Sequence, residues 1–335
     1  MPYSSGRVVH DADAHIMEPP TWLRDHADPS IRDRIEPLRY SSGNELRQTG
    51  DPDEQQHDLD AAFDRIRARH ASTEYQDVEE NEIMLRKNFA ATGSFIPDDR
   101  SRALDLLGFS SQLLFNTFHN RRLRDWEHGV DLALLIGVAR AHNRGMVEFC
   151  SADDRLLPTC YVPLADLDRA AAMADEAIAM GAAALLVASG CPPTHSPSHI
   201  GLDGVLERFP DLRIGVIEQG AIWLPSWMRQ MEAAFEAFAR HEERLRALSL
   251  RPSEYVHRQI RATPYPTEDV GWIIEQAGPD VCLFSSDYPH VEGGRRPIER
   301  FEASLGDASD DVRQRFYADN FLDLMGTAAS RFTLV

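Results

Sequence analysis

From about residue 103 the sequence alternates short, almost wholly apolar runs with longer amphipathic ones, and no other feature restricts the fold as much. The runs Ser111–Asn116 (SQLLFN), Leu156–Pro163, Ala182–Ser189, Arg213–Glu218, Gln259–Thr263 and Val281–Ser286 (VCLFSS) read as strands. Between them, Leu132–Cys150, Asp166–Met180, Leu224–Leu248 and Thr267–Ala277 read as helices. Continuous apolar strands suit a parallel sheet covered on both faces. Strands alternating with helices indicate βαβ units. Val8–His15 adds a first strand, making seven. Two architectures fit this count, a doubly wound sheet and a (β/α)8 barrel one unit short. The first strand–helix junction lacks G-x-G-x-x-G, which weakens the case for a dinucleotide-binding sheet. Residues 21–102 break the rhythm with a polar, charge-dense stretch, read as an insertion or lid within one domain spanning 1–335.

Composition excludes several functions. A net charge of −19 over 335 residues repels phosphate backbones and anionic membrane surfaces. No apolar run is long enough to span a bilayer, and Met1–Val9 has no signal-peptide core, so a cytoplasmic protein acting on a small soluble molecule is expected. Cys150, Cys160, Cys191 and Cys282 show no C-x-x-C spacing and read as buried free thiols. Lys87 is the only lysine and has no G-K-[ST] context, which argues against a P-loop and against Schiff-base chemistry. Neither G-x-S-x-G nor H-E-x-x-H occurs. The stripe Trp223, Trp227, Met231, Phe235 and Phe238 reads as core or subunit interface, and a homodimer is compatible with it.

In a barrel, chemistry sits at the C-terminal ends of the strands. The first strand, in "VVHDADAHIMEPP", offers Asp11, Asp13 and His15, spaced by two and therefore facing one way. The loop "GCPPTHSPSH" offers His195 and His199, "RIGVIEQG" ends on Glu218, and "VCLFSSDYPH" ends on Asp287 and His290. Acids and imidazoles gathered at strand ends are the donors a borderline divalent cation takes. Each has a plainer reading. Glu218 could pair with an arginine, His195 and His199 could lie on the surface, and Asp287 could cap the next element.

The stretches "VVHDADAHIMEPPTWL", "RFPDLRIGVIEQGAIWLPSWMRQM", "FSSDYPHVEGG" and "FYADNFLDL" together resemble the amidohydrolase-related branch of the amidohydrolase superfamily. That branch includes aminocarboxymuconate-semialdehyde and resorcylate-type decarboxylases. The resemblance implies a (β/α)8 TIM barrel with one divalent metal, zinc or manganese, with zinc the first expectation. It implies Asp13, His15 and Asp287 as metal ligands, with Asp287 also handling the catalytic proton. Glu218, His290 and His199 are left to position substrate. The implied activity is hydrolysis or non-oxidative decarboxylation of a small aromatic or unsaturated carboxylic acid.

One part of the family pattern is missing. "CPPTHSPSHIGLD" runs directly into "GVLERFPDL", where the family places a fifth strand ending in a histidine. A βα unit and a metal ligand are therefore expected to be absent. The competing expectation is a catalytically impaired or inactive barrel kept for binding or assembly. Asp11 receives no ligand role.

Overall fold

A computed structural model describes residues 2–40, 52–188, 190 and 204–334. Its strands are β1 (His10–His15), β2 (Ser111–Phe115), β3 (Leu156–Tyr161), β4 (Ala184–Leu186), β5 (Ile214–Val216) and β6 (Ile260–Ala262). The chain forms two compact units. One comprises Met1–Ser5, His15–Gly108 and Leu114–Thr194; the other comprises Gly6–Ala14, Phe109–Leu113 and His195–Val335.

In the first unit, the end of β2 is followed in the sheet by β3 and then β4. β3 and β4 are parallel, with Thr159 opposite Ala184 and Tyr161 opposite Leu186. The helix Leu132–Cys150 falls where the periodicity places it, and Asp131 caps it by accepting from the Leu134 N–H at 2.9 Å. Every residue of β3 is buried, whereas Leu185 on β4 is 40% exposed. The stretch read as a polar insertion also has an apolar core of its own. Tyr40, Phe63, Phe89 and Phe95 pack there with Met17, Leu38 and Leu59, and Phe118 lies against them. The rings meet edge to face, at 5.1 Å for Phe63–Phe89 and 4.9 Å for Tyr40–Phe118. Charged residues dominate the composition of this segment, and the widely spaced aromatics supply its packing.

In the second unit β5 and β6 are parallel, with Ile214 opposite Ile260 and Val216 opposite Ala262. Residues 281–288 run beside β6 on one side and β1 on the other. The Ala262 N–H donates to Val281 O (2.8 Å), Ala12 N–H to Phe284 O (3.1 Å) and Asp287 N–H to Asp13 O (2.8 Å), and Ala14 bridges Tyr288 in parallel. All these chains point the same way, so the segments after β5, after β6 and at Asp287 emerge at one end, with Asp13 near the end of β1. Phe284 anchors the unit's core among Phe109, Phe301, Phe316 and Tyr317.

Three sequence expectations are corrected. Val281–Ser286 is extended but forms no regular strand ladder. The Phe284 N–H donates to Phe316 O, and the Ser286 N–H to the Asp11 carboxylate, which removes both donors from sheet pairing. The helix expected over Leu224–Leu248 stops at Phe238, and Glu243–Arg246 forms a separate turn. After Phe238 the residues Ala239–Glu243 offer no apolar face to bury, so nothing holds the helix together. The helix expected from Thr267 starts at Val270, because Asp269 caps it through the Trp272 N–H at 3.0 Å.

Cys150, Cys160 and Cys282 are buried free thiols, while Cys191 lies outside the described residues. Among the described residues no helix is long and apolar enough to cross a membrane.

Candidate metal centre

Asp11, the acid without an assigned role, is fully buried and accepts four hydrogen bonds. They come from Ser286 N–H (2.8 Å), Ser286 Oγ (2.5 Å), Gln112 Nε2 (2.9 Å) and, more weakly, Asp13 N–H (3.4 Å). Burial pushes its carboxyl up to about 6, against the pull of those donors. Asp11 therefore ties β1, β2 and the segment at Ser286 together, a structural role.

Two residues on, Asp13 is buried as well. Its carboxyl is held well above the usual range, first by burial and then by the negative charges of Asp287 and Asp11. Its backbone carbonyl receives the Asp287 N–H, which fixes the start of the turn that carries Asp287.

Asp287 and Glu218 share an unusual backbone. Both are non-glycine residues in the left-handed region, with φ of 52° and 59°. Such conformations cost free energy and persist where surrounding contacts enforce them, often at functional sites. In each case the turn brings the carboxylate towards the other acid. His290 sits between them, its Nδ1 at 2.9 Å from Asp287 Oδ1 and 3.8 Å from Glu218 Oε1. Glu292 lies beyond, at 3.9 Å from the same nitrogen. Glu218, Asp287 and His290 each offer one ligand atom, and these atoms lie within 4.8 Å of one another. Two carboxylates and an imidazole at that spacing fit a hard or borderline divalent cation. The mutual repulsion of the buried acids Asp13 and Asp287 is a charge pattern that a cation relieves.

His15 ends β1 and is buried. Its Nδ1 lies 3.3 Å from the carbonyl oxygen of Asn116. A carbonyl can only accept, so Nδ1 carries the proton and Nε2 is the basic nitrogen. Arg100 Nη1 donates to the His15 carbonyl at 3.0 Å.

Of the strand-end residues expected from sequence, Glu218, Asp287 and His290 converge, and Asp13 lies on the strand whose carbonyl holds Asp287. His195 and His199 lie outside the described residues. Sequence reasoning missed Thr263, Tyr265 and Glu268, on the loop after β6, which surround the Glu218 backbone. "ATPYPTED" is a polar run at a strand end, and the strand-end rule applied to β6 would have found it.

The fold and the donor set define a parallel α/β protein with a candidate metal centre at its strand ends. Residues 189–324 match the family model described as Amidohydrolase, the family that the motifs resemble. An amidohydrolase from Mycobacterium avium subsp. paratuberculosis K-10 shares the fold with a TM-score of 0.66 and 20% identity, over 96% of this chain and 100% of that one. A 5-carboxyvanillate decarboxylase from Novosphingobium aromaticivorans, complexed with manganese and 4-hydroxy-3-methoxy-5-nitrobenzoic acid, has a TM-score of 0.57 and 15% identity over 96% of both chains. A dihydroxybenzoic acid decarboxylase from Polaromonas, with manganese and 2-nitroresorcinol bound, has a TM-score of 0.58 and 13% identity over 98% of this chain and 100% of that one. No curated protein matches the chain in sequence.

Proposed function

We propose that the protein is a metal-dependent carboxy-lyase that removes carbon dioxide from a small hydroxylated aromatic acid. The carrying observation is the convergence of Glu218, Asp287 and His290 within 4.8 Å at one end of a parallel sheet. In this reading Asp287 is a metal ligand, and Asp13 and His15 extend the donor set along one face of β1. The Nδ1–H to Asn116 bond presents His15 Nε2 as its ligating nitrogen. Glu218 and His290 supply donors in place of the strand-five histidine, which favours an enzyme over a degenerate barrel. The manganese in the two decarboxylase structures makes Mn2+ the first ion to test, ahead of the zinc expected from the motifs. A bound divalent ion supplies Lewis-acid stabilisation of substrate oxygens.

The chain's own residues handle the proton. Loss of carbon dioxide leaves an electron pair on the ring carbon, and a proton must replace the departing carboxyl group. Asp287 would hold that proton on the carboxylate oxygen left free of the metal, with the His290 ring beside it, its Nδ1 2.9 Å from Oδ1. The finer fold belongs to the same proposal: a (β/α) barrel over 1–335 that lacks the strand-five unit, with 21–102 over one end. Among the described residues between β4 and β5 there is a short helix, Val205–Arg208, and no strand. Gly215 on β5 is exposed, as is Leu185 on β4, where a complete barrel would cover both.

The test is Mn2+ binding to wild type and Asp287→Asn, together with carbon dioxide release from a panel of mono- and dihydroxybenzoates. Wild type should bind one ion and release carbon dioxide from at least one acid, and Asp287→Asn should do neither. A folded wild-type protein that takes up neither Mn2+ nor Zn2+ would sink the reading.

A further inference from the structure

We propose that Tyr265 and Glu268, on the loop after β6, are positioning residues that hold Glu218 in its left-handed conformation and thereby set metal affinity from outside the ligand set. The inference rests on the reading of Glu218 as a metal ligand. Glu218 sits at φ 59°, a conformation that a side-chain-bearing residue abandons unless it is held. Both of its backbone polar groups are held. Its N–H donates to Thr263 Oγ1 at 3.0 Å, and its carbonyl accepts from the Tyr265 hydroxyl at 2.8 Å. The neighbouring loop therefore holds the peptide planes on either side of Glu218, and Gln219 Nε2 donates to the same carbonyl at 2.9 Å.

Glu268 secures that loop. Its carboxylate accepts from Tyr265 N–H (2.9 Å), Ala221 N–H (2.9 Å) and Ile222 N–H (3.1 Å), so one side chain joins the loop after β5 to the loop after β6. The two loops interlock around Gly220, where a Cβ would fall 2.7 Å from Glu268 Oε1 and 3.0 Å from the Tyr265 ring. Only glycine admits that approach, and Gly220 also has a φ of 64°. Tyr265 is 39% exposed, so core filling does not explain its place. Its hydroxyl is spent on the carbonyl of one site residue.

Tyr265→Phe removes that hydroxyl and keeps the ring over Gly220. Glu268→Gln turns one acceptor oxygen into a donor facing backbone N–H groups. Titration with Mn2+, followed by the electron paramagnetic resonance of the free ion, reads affinity without relying on turnover. Thermal unfolding reads the fold. We expect affinity to fall about 10-fold in Tyr265→Phe and 10- to 100-fold in Glu268→Gln, with little change in the Tm of Tyr265→Phe. In the double variant Glu218→Gln/Tyr265→Phe, loss of the hydroxyl should weaken binding no further than Glu218→Gln alone. Wild-type affinity in both single variants, or a fall in Tm with affinity unchanged, overturns the assignment. If Glu218→Gln weakens binding and Tyr265→Phe does not, the positioning role fails while the metal reading stands. If Glu218→Gln binds Mn2+ as wild type does, or wild type binds none, the ligand assignment fails and the inference falls with it.

Discussion

A methyl group added at Gly293 tests the geometry of the centre directly. Gly293 packs against the turn that carries Asp287. A Cβ there would lie 2.3 Å from Ser286 O, 2.8 Å from Asp287 Cβ and 3.2 Å from Ser286 C. Ordinary contact begins near 3.4 Å, so the turn has to open by roughly 1 Å. Two of the three obstructing atoms are backbone, and no rotamer change relieves them. Overpacking of this kind costs about 1–3 kcal/mol. The larger effect falls on the proposed ligand set, because metal–ligand distances tolerate changes of only about 0.2 Å. A 1 Å shift of Asp287 away from Glu218 and His290 should weaken Mn2+ binding at least 10- to 100-fold, or about 1.4–2.8 kcal/mol. Gly294→Ala is the control. It meets nothing closer than 3.9 Å but sits at φ 75°. It should cost about 1–2 kcal/mol of stability through strain and leave affinity unchanged. Calorimetric Mn2+ titration and thermal unfolding of both variants give the comparison. Wild-type affinity in Gly293→Ala would refute the claim that this turn sets the position of Asp287.

Three further outcomes are expected. In metal-free protein, Asp11 favours its protonated form because its folded pKa, about 6, lies above the unfolded value. Its stabilising contribution is complete below about pH 4 and is lost as pH rises to about 6, by about 3 kcal/mol in all. Urea unfolding of Asp11→Asn should therefore lack that downward slope, and profiles parallel to wild type would contradict the burial argument. Metal uptake should release protons and weaken as pH falls, because the Asp13 carboxyl is raised by burial and by the Asp287 charge; affinity constant from pH 5 to 8 would count against a cation beside Asp13. Finally, the buried Glu18 carboxylate accepts from the N–H groups of Thr117 (3.1 Å), Phe118 (3.0 Å) and His119 (3.1 Å). Glu18→Gln, which turns an acceptor towards donors, should cost about 2–4 kcal/mol in denaturant unfolding, and an unchanged midpoint would show that those bonds carry no net weight.

Much of this architecture is local in origin and was legible for that reason. Side-chain period determines which residues can be buried together, so the apolar runs located β1 to β6 to within a few residues, and the helix Leu132–Cys150 at both ends. The D-x-H spacing on β1 and the SSDYPH motif pointed to the candidate metal centre because strand periodicity and strand-end placement are both local rules. The limits were also physical. Helix length past Phe238 depended on whether a tertiary surface existed for it to cover. The interrupted pairing of residues 281–286 depended on Phe316 and Asp11, which no local window contains. Asp11 and Asp13 look equivalent in "DADAH", yet folding spends one on backbone and side-chain donors and leaves the other raised by the Asp287 charge. The approach of Glu218, Asp287 and His290 follows from two left-handed turns held by distant groups, namely the Asp13 carbonyl, the Tyr265 hydroxyl and the Thr263 hydroxyl. The sequence by itself determined which donors stand at the strand ends. Tertiary structure alone decided which of them meet, because strained turns and buried like charges persist only where long-range hydrogen bonds offset their cost.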